Sequence, residues 1–281
     1  MCPPDVVGGS ADRLELAVVQ LNSRDDVAQN LETCRKLVLA AAARGARVVV
    51  LPENFAYFGP EAGRRKHAER LGDEAAPIQR ALSEMARAAS CYVVGGGLPE
   101  SSSDPERPFN SALVLGPEGK LLGGYHKIHL FDVDLGDGTS LRESASTSAG
   151  DAAQVVDLAG FKVGLSICYD LRFPELYRRL VRAGAEVLLV PSAFTLHTGK
   201  DHWHVLLRAR AIEAQCYVAA AAQWGKHPQG RTSYGHSLIA DPWGTVIADC
   251  SDGVGFAIGS VERSQLERVR QSLPSLTHIR L

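Results

Sequence analysis

Three side chains with catalytic potential each follow an apolar run of the sequence. Glu53 comes directly after VVVLP, Lys127 after GGYH, and Cys168 after VGLSI. A carboxylate in apolar surroundings can act as a general base, a half-buried ammonium can stabilise an oxyanion, and a thiol can act as a nucleophile. Taken singly, each has a plainer explanation, since glutamates cap helices, lysines snorkel and most cysteines are small core residues. Together they predict a covalent reaction at a thiol.

Cys168 is the sharpest candidate because it lies at a predicted strand-to-helix turn. Such a turn is similar in geometry to a nucleophile elbow, although the sequence lacks GxSxG. The helix start that follows is expected to favour the thiolate, and the N–H groups of the turn can receive an oxyanion. The other cysteines lack this placement and form no CxxC pair, which argues against a disulfide scaffold or zinc ribbon and indicates a reducing compartment. They are Cys2, Cys34, Cys91, Cys216 and Cys250.

Strands and helices alternate along the chain and must position these side chains. Apolar runs predict strands at residues 14–20, 47–52, 91–97, 163–167, 186–190 and 216–222. Helical periodicity predicts helices at residues 26–44, 76–90, 174–182 and 201–215, and turn residues predict hairpins within 111–125 and 237–248. The reactive residues then follow strand ends, where open α/β sheets build their sites.

The length and composition are those of an ordinary globular protein. The chain has 281 residues, 45% of them hydrophobic and 22% charged, and no linker or charge run divides it. We expect a loose tail at residues 1–12 and a single domain at residues 13–281. The hairpins argue against purely parallel sheets.

Three segments carry a resemblance to a known family when they are taken together. They are LPE at residues 51–53, YHKIHLFD at 125–132 and ICYDLRFPEL at 167–176. In this order they look like the three motifs of the nitrilase (carbon–nitrogen hydrolase) superfamily, and the resemblance runs from about Leu14 to near Val261. It implies an α/β fold, a four-layer α-β-β-α sandwich with mixed sheets. It also implies a Glu53–Lys127–Cys168 triad that needs no metal or organic cofactor.

The resemblance also implies roles for residues near the triad. Glu143, in LRES, matches an extra glutamate of the family that positions the lysine or the substrate. The backbone N–H of Tyr169 is expected to share the oxyanion with Lys127. Arg172 either meets a substrate carboxylate or braces the triad through Asp170 or Glu175, and Thr195 is expected to face the pocket.

Further segments narrow the resemblance to the Nit branch. They are PSAF at 191–194, HW at 202–203, LLRARAIE at 206–213, SYGHS at 233–237 and DPWG at 241–244. This branch implies hydrolysis of a small anionic amide, with deaminated glutathione favoured, through a Cys thioester. An ω-amidase acting on α-ketoglutaramate, or another short-chain amide or carbamoyl hydrolase, is the alternative. A catalytically inactive binding protein on the same fold is the alternative from another class.

Charge and patterning bear on partners and location. The formal net charge of −2 lacks the excess of basic residues that is typical of proteins that bind nucleic acid or anionic membranes. No apolar run is long enough to span a bilayer, and the start lacks the pattern of a signal peptide, so we expect a cytoplasmic protein. The resemblance implies at least a homodimer, packed through Leu176, Leu180 and Val181 and through helix 201–215. His202 and His204 point apart on that helix, so a metal is not expected there.

Overall fold

The computed structural model describes residues 12–73, 75–134 and 140–280. The predicted loose tail lies outside these residues, apart from Asp12. The described strands are β1 (Arg13–Leu21), β2 (Val48–Val50), β3 (Tyr92–Glu100), β4 (Phe109–Leu115), β5 (Leu121–His126), β6 (Asp132–Asp134), β7 (Ser140–Arg142), β8 (Val155–Leu158), β9 (Phe161–Leu165), β10 (Val187–Leu189), β11 (Tyr217–Ala220), β12 (Ala222–Lys226), β13 (Thr232–Tyr234), β14 (Leu238–Ala240), β15 (Val246–Asp249) and β16 (Gly255–Glu262). The described α-helices are α1 (Val27–Ala43), α2 (Glu61–Lys66), α3 (Pro77–Ala89), α4 (Pro174–Arg182), α5 (Leu196–Ala214) and α6 (Arg263–Ser272).

Two mixed sheets form the centre of the molecule. The first has the order β13-β12-β1-β2-β3-β4-β5, with β16 also paired to β1, and the second has the order β15-β14-β11-β10-β9-β8. Strands β1, β2 and β3 run parallel, as do β9, β10 and β11. The hairpins β4–β5 and β14–β15 are antiparallel, as the turn residues between their strands predict.

Alternation along β1 shows how the layers stack. Leu16 and Val18 join the core that the two sheets share, whereas Ala17 and Val19 pack in a second core with α1 and α3. Helices α4 and α5 cover the other face of the second sheet, where Leu180 closes on Gly164 of β9. The expected four-layer α-β-β-α sandwich with mixed sheets is confirmed.

Two expectations about the helices after Cys168 need correction. Helix α5 begins at Leu196, five residues before the predicted start, because the Thr195 hydroxyl accepts a hydrogen bond from the Thr198 N–H and caps it. On α4, Leu176 and Leu180 are buried in the protein's own core and do not face a partner. None of the helices described is both long and apolar enough to cross a membrane.

Candidate active site

The three predicted catalytic residues each follow the end of a strand and meet in one cleft. Glu53 follows β2, Lys127 follows β5, and Cys168 follows β9 of the second sheet. The Nζ of Lys127 donates to Oε1 of Glu53 at 3.0 Å, and both side chains are buried. Glu53 and Lys127 influence the ionisation of Cys168, so all three belong to one site.

Glu53 is fixed by donors from three separate elements. Its Oε1 accepts from Nδ2 of Asn110 at 2.9 Å as well as from Lys127, and its Oε2 accepts from the backbone N–H of Ala193 at 3.0 Å. These bonds hold both carboxylate oxygens in place, so the carboxylate is preorganised as a base.

Lys127 lies between two carboxylates. Its Nζ donates to Glu53 and, at 2.8 and 3.0 Å, to the two oxygens of Glu143. Burial opposes the ammonium charge, but the attraction of Glu143 and Glu53 outweighs it and raises the pKa of Lys127. Burial likewise opposes the charge of Glu143, but Lys127 and Arg64 outweigh it and lower the pKa of this carboxyl. Lys127 is therefore a permanent cation.

Cys168 occupies a strained turn. Its φ is +49°, a left-handed value that costs a residue with a Cβ about 1–3 kcal/mol, and its N–H donates to the carbonyl of Pro191 at 2.9 Å. This strain is what an elbow-like turn requires. The expectation that the helix start favours the thiolate was wrong, because burial and the Glu53 carboxylate raise the pKa of the Cys168 thiol well above its usual value despite the opposing pull of Lys127. Cys168 is held as a thiol next to a base.

Asp170 joins the two motifs that carry Lys127 and Cys168. Its buried carboxylate accepts from the Tyr125 hydroxyl at 2.7 Å, from the Ile167 N–H at 2.9 Å, and from both the N–H and the ring of His129. Among the described residues Arg172 bonds to neither Asp170 nor Glu175, so neither of the two bracing contacts considered for that arginine is present. The guanidinium of Arg172 lies 3.4 Å from Nδ1 of His202.

A cleft of about 860 Å³ opens above Cys168. Glu143, Tyr169, Arg172 and Thr195, all named from the sequence, line it. Positive side chains outnumber negative ones in the described lining. The positive ones are Arg64, Lys127, Arg142, Arg172, Lys200 and Arg231, and the negative ones are Glu53, Glu61 and Glu143.

Sequence reasoning missed three contributors to this site. Asn110 donates to Glu53, and at 3.3 Å to Glu143; in the sequence it is an amide directly before the predicted hairpin at residues 111–125, and that position alone does not show its contacts. Arg64, on the short helix α2, is nine-tenths buried and its charge helps to keep Glu143 ionised. The backbone N–H of Ala193 has no signal in residue type, because any residue other than proline supplies it.

Comparisons with known proteins find relatives along nearly the whole chain. The profile of the carbon-nitrogen hydrolase family matches residues 15–271. A Synechocystis sp. protein named deaminated glutathione amidase is 44% identical over 266 residues, which cover 93% of this chain and 96% of that protein. The crystal structure of C. elegans NitFhit matches with a TM-score of 0.90 and 37% identity, over 97% of this chain and 66% of that one. Saccharomyces cerevisiae Nit3, described as a member of branch 10 of the nitrilase superfamily, matches with a TM-score of 0.85 and 30% identity, over 94% and 95% of the two chains.

Proposed function

The chain belongs to the carbon–nitrogen hydrolase family, and we propose that it is an amidase whose substrate is deaminated glutathione. As a member of the Nit branch it is an enzyme that hydrolyses the carbon–nitrogen bond of amides. One observation supports the proposed mechanism above all: Lys127 and Glu53 are in buried contact beside the Cys168 thiol.

Acylation begins with proton transfer. As the sulfur of Cys168 attacks the amide carbonyl carbon, its proton passes to the carboxylate of Glu53. The raised pKa of the thiol makes this transfer concerted with attack, because little thiolate forms beforehand. Collapse of the tetrahedral intermediate breaks the C–N bond, and Glu53 returns the proton to the departing amine. A thioester on Cys168 remains.

The oxyanion of this intermediate needs fixed donors. An ammonium has three N–H donors, and Lys127 directs all three at Glu53 and the two oxygens of Glu143. We assign the oxyanion to the backbone N–H of Tyr169 and to one of the two Lys127 donors that face Glu143, which turns to the oxyanion while the other keeps its bond to that carboxylate. Because Glu53 and Glu143 hold the Lys127 ammonium in place before substrate binds, only this one hydrogen bond changes during the reaction.

Deacylation uses the same residues. Glu53 removes a proton from water as the water attacks the thioester, and the second tetrahedral intermediate expels the sulfur of Cys168, which regains its proton. The products are a carboxylic acid and the amine released earlier. The reaction is a hydrolysis, so it uses no electron donor or acceptor.

The shape and charge of the cleft support a substrate larger than α-ketoglutaramate. Deaminated glutathione has a carboxylate on its acyl side and a dipeptide, with a second carboxylate, as its leaving group. A cleft of about 860 Å³ has room for both parts, and its excess of positive side chains suits two carboxylates. We assign one carboxylate to Arg172.

The test is a direct kinetic comparison of the two amides. We expect kcat/KM for deaminated glutathione to exceed that for α-ketoglutaramate by about tenfold or more, which corresponds to about 1.4 kcal/mol of transition-state binding. A preference for α-ketoglutaramate would make the protein an ω-amidase instead. Turnover of neither amide would contradict the proposed substrate class.

We further propose that residues 13–281 form one domain and act as a homodimer in the cytoplasm. β1 pairs along its length with β16 from the far end of the chain, which supports one domain. Val205, Ile212 and Trp243 are exposed apolar residues on α5 and the adjoining hairpin, and these support a partner surface there. The described cysteines are all unpaired, which suits a reducing compartment.

A further inference from the structure

Outside the cleft, three metal-ligating side chains from three elements converge near the surface. His204 lies on α5, His236 in the loop between β13 and β14, and Asp249 at the end of β15. Their ligand atoms all lie within 4.8 Å of one another. These residues do not line the catalytic cleft, so the cluster is separate from the amidase site.

The spacing of the cluster suits a small divalent transition metal. Nε2 of His204 lies 3.1 Å from Oδ2 of Asp249, and Nδ1 of His236 lies 3.4 Å from Oδ1 of the same carboxylate. In a tetrahedral zinc site, with bonds of about 2.0–2.2 Å, neighbouring ligand atoms lie about 3.3–3.6 Å apart. We propose that His204, His236 and Asp249 bind one Zn²⁺-class ion, with water as the fourth ligand.

The backbone around the cluster is held in place without a metal. Trp203 is fully buried next to His204, and its Nε1 donates to the carbonyl of His236 at 2.8 Å. The N–H of Cys250 donates to the carbonyl of Ser237 at 2.8 Å, so the residues beside Asp249 and His236 are tied together as well. His236 itself has a φ of +56°, a left-handed conformation that its surroundings must enforce. The three ligands are therefore presented by a fixed frame.

A second carboxylate lies near the other ring nitrogen of His236. Nε2 of His236 lies 3.9 Å from Oδ1 of Asp252, which is too far for a hydrogen bond but close enough for electrostatic attraction, and this oxygen accepts a hydrogen bond from Nε1 of Trp224 at 3.3 Å. The ligand side chains are about one-third exposed, so an ion can enter from solvent.

The site joins α5 to the β14–β15 hairpin. A metal held between these elements binds the folded chain better than the unfolded chain, so its effect is on stability and not on amide hydrolysis.

The sequence analysis considered His202 and His204 as a pair of metal ligands and expected them to point apart. The structure separates that pair, because His202 contacts Arg172. The histidine that joins His204 comes from a distant loop.

The test is a titration of the full chain with Zn²⁺ by calorimetry, and with Co²⁺ by its visible absorption. A thiolate is also a zinc ligand, so the titration is repeated on Cys168→Ala to remove the catalytic thiol. We expect one ion to bind per chain in both proteins, to give a tetrahedral Co²⁺ spectrum and to raise the melting temperature. Binding that disappears in Cys168→Ala would place the metal at the active site and overturn the proposal.

Variants of the cluster complete the test. His236→Ala and Asp249→Asn remove ligands, and each should weaken Zn²⁺ binding by more than Asp252→Asn, which removes only a nearby negative charge. The control is His278→Ala, an exposed histidine that is not in the cluster and should leave binding unchanged. Metal-free melting temperatures show that the variants are folded. Binding that survives both ligand variants, or no binding to the unaltered chain, would mean that the cluster is only a pair of histidine–aspartate hydrogen bonds.

Discussion

At the scale of single residues, the site combines a permanent cation with a thiol that resists ionisation. Lys127 keeps its proton because Glu53 and Glu143 face it, and Cys168 keeps its proton because it is buried beside Glu53. The same glutamate that raises the pKa of the thiol is thus the base that removes its proton during attack. Neutralising Glu53 should therefore make the Cys168 thiol easier to ionise and at the same time slow amide hydrolysis.

Glu53→Gln is expected to separate these two effects. Removing the carboxylate removes one cause of the raised pKa, so the ionisation midpoint of Cys168 should move to lower pH. Amide turnover should nevertheless fall by about 10²–10⁴, because the general base is lost. The midpoint is read from thiolate ultraviolet absorbance, as the difference between each protein and the same protein carrying Cys168→Ala. A midpoint that stays the same or moves to higher pH would show that Glu53 does not act directly on the thiol.

Arg172→Ala tests recognition of a substrate carboxylate. The guanidinium lies over the rings of Phe194 and Tyr169, faces the cleft and forms no ion pair with a carboxylate among the described residues. We expect KM for a carboxylate-bearing amide to rise by about tenfold, with little change for a neutral amide of the same length. Equal losses on both substrates would show that Arg172 only supports the cleft wall.

At the scale of elements, Glu53 is positioned by close packing of β3 against the segments that follow β2 and β10. A Cβ on Gly96 of β3 would lie 2.0 Å from the carbonyl oxygen of Leu51 and 2.3 Å from Cβ of Pro191. Both neighbours belong to segments that lead directly into the site, since Leu51 precedes Glu53 and Pro191 accepts from the N–H of Cys168. The glycine run that includes Gly96 therefore allows close packing of these segments.

Gly96→Ala should lower stability and activity together. The clash with backbone must be relieved by moving the strand ends, at a cost of about 1–3 kcal/mol in the free energy of unfolding. Gly255→Ala on β16 is the matched control, because a Cβ there meets nothing within 4 Å. Urea unfolding and amide kinetics measure both variants. Equal stability of the two would show that the strand ends are not tightly packed.

The elements show what the sequence could predict and what it could not. Helix α4 was predicted with its observed bounds, because a proline at its start and a glycine after its end mark them. Strand β16 was missed because its sequence, GFAIGSVE, has no strict alternation of apolar and polar residues and most of it is only half-buried. Asn110 and the His204–His236–Asp249 cluster were missed because they depend on contacts between distant parts of the chain.

At the scale of the whole molecule, one apolar strip of the surface is left uncovered by the residues that the structure describes. Val205 and Ile212 lie seven residues apart on α5 and so share a face, and they are 66% and 48% exposed. Trp243, from the β14–β15 hairpin, adds a third exposed apolar side chain, and Gly244 beside it approaches Ile212. We expect this strip to be the surface through which two copies pair.

Val205→Asp should disrupt that pairing. A charge buried in an apolar interface has no partner, so the dimer should dissociate into chains of 30.1 kDa. Leu122→Asp is the control, because Leu122 is similarly exposed but lies on β5 of the first sheet and not on α5 or the β14–β15 hairpin. Light scattering at micromolar concentration distinguishes the two species. A protein that is monomeric before any substitution would contradict the dimer itself.

The central claim is that Cys168 is the nucleophile of a thioester mechanism, and turnover by Cys168→Ala tests it most directly. Replacing the thiol by a methyl-sized side chain removes the nucleophile and opens only a small cavity, so the fold should survive. Cys168→Ser should be nearly inactive too, because Glu53 is too weak a base for a hydroxyl. We expect each variant to hydrolyse deaminated glutathione at less than about 1% of the rate of the unaltered chain, with an unchanged circular dichroism spectrum. A folded Cys168→Ala protein that retains more than this on the same amide would contradict the mechanism.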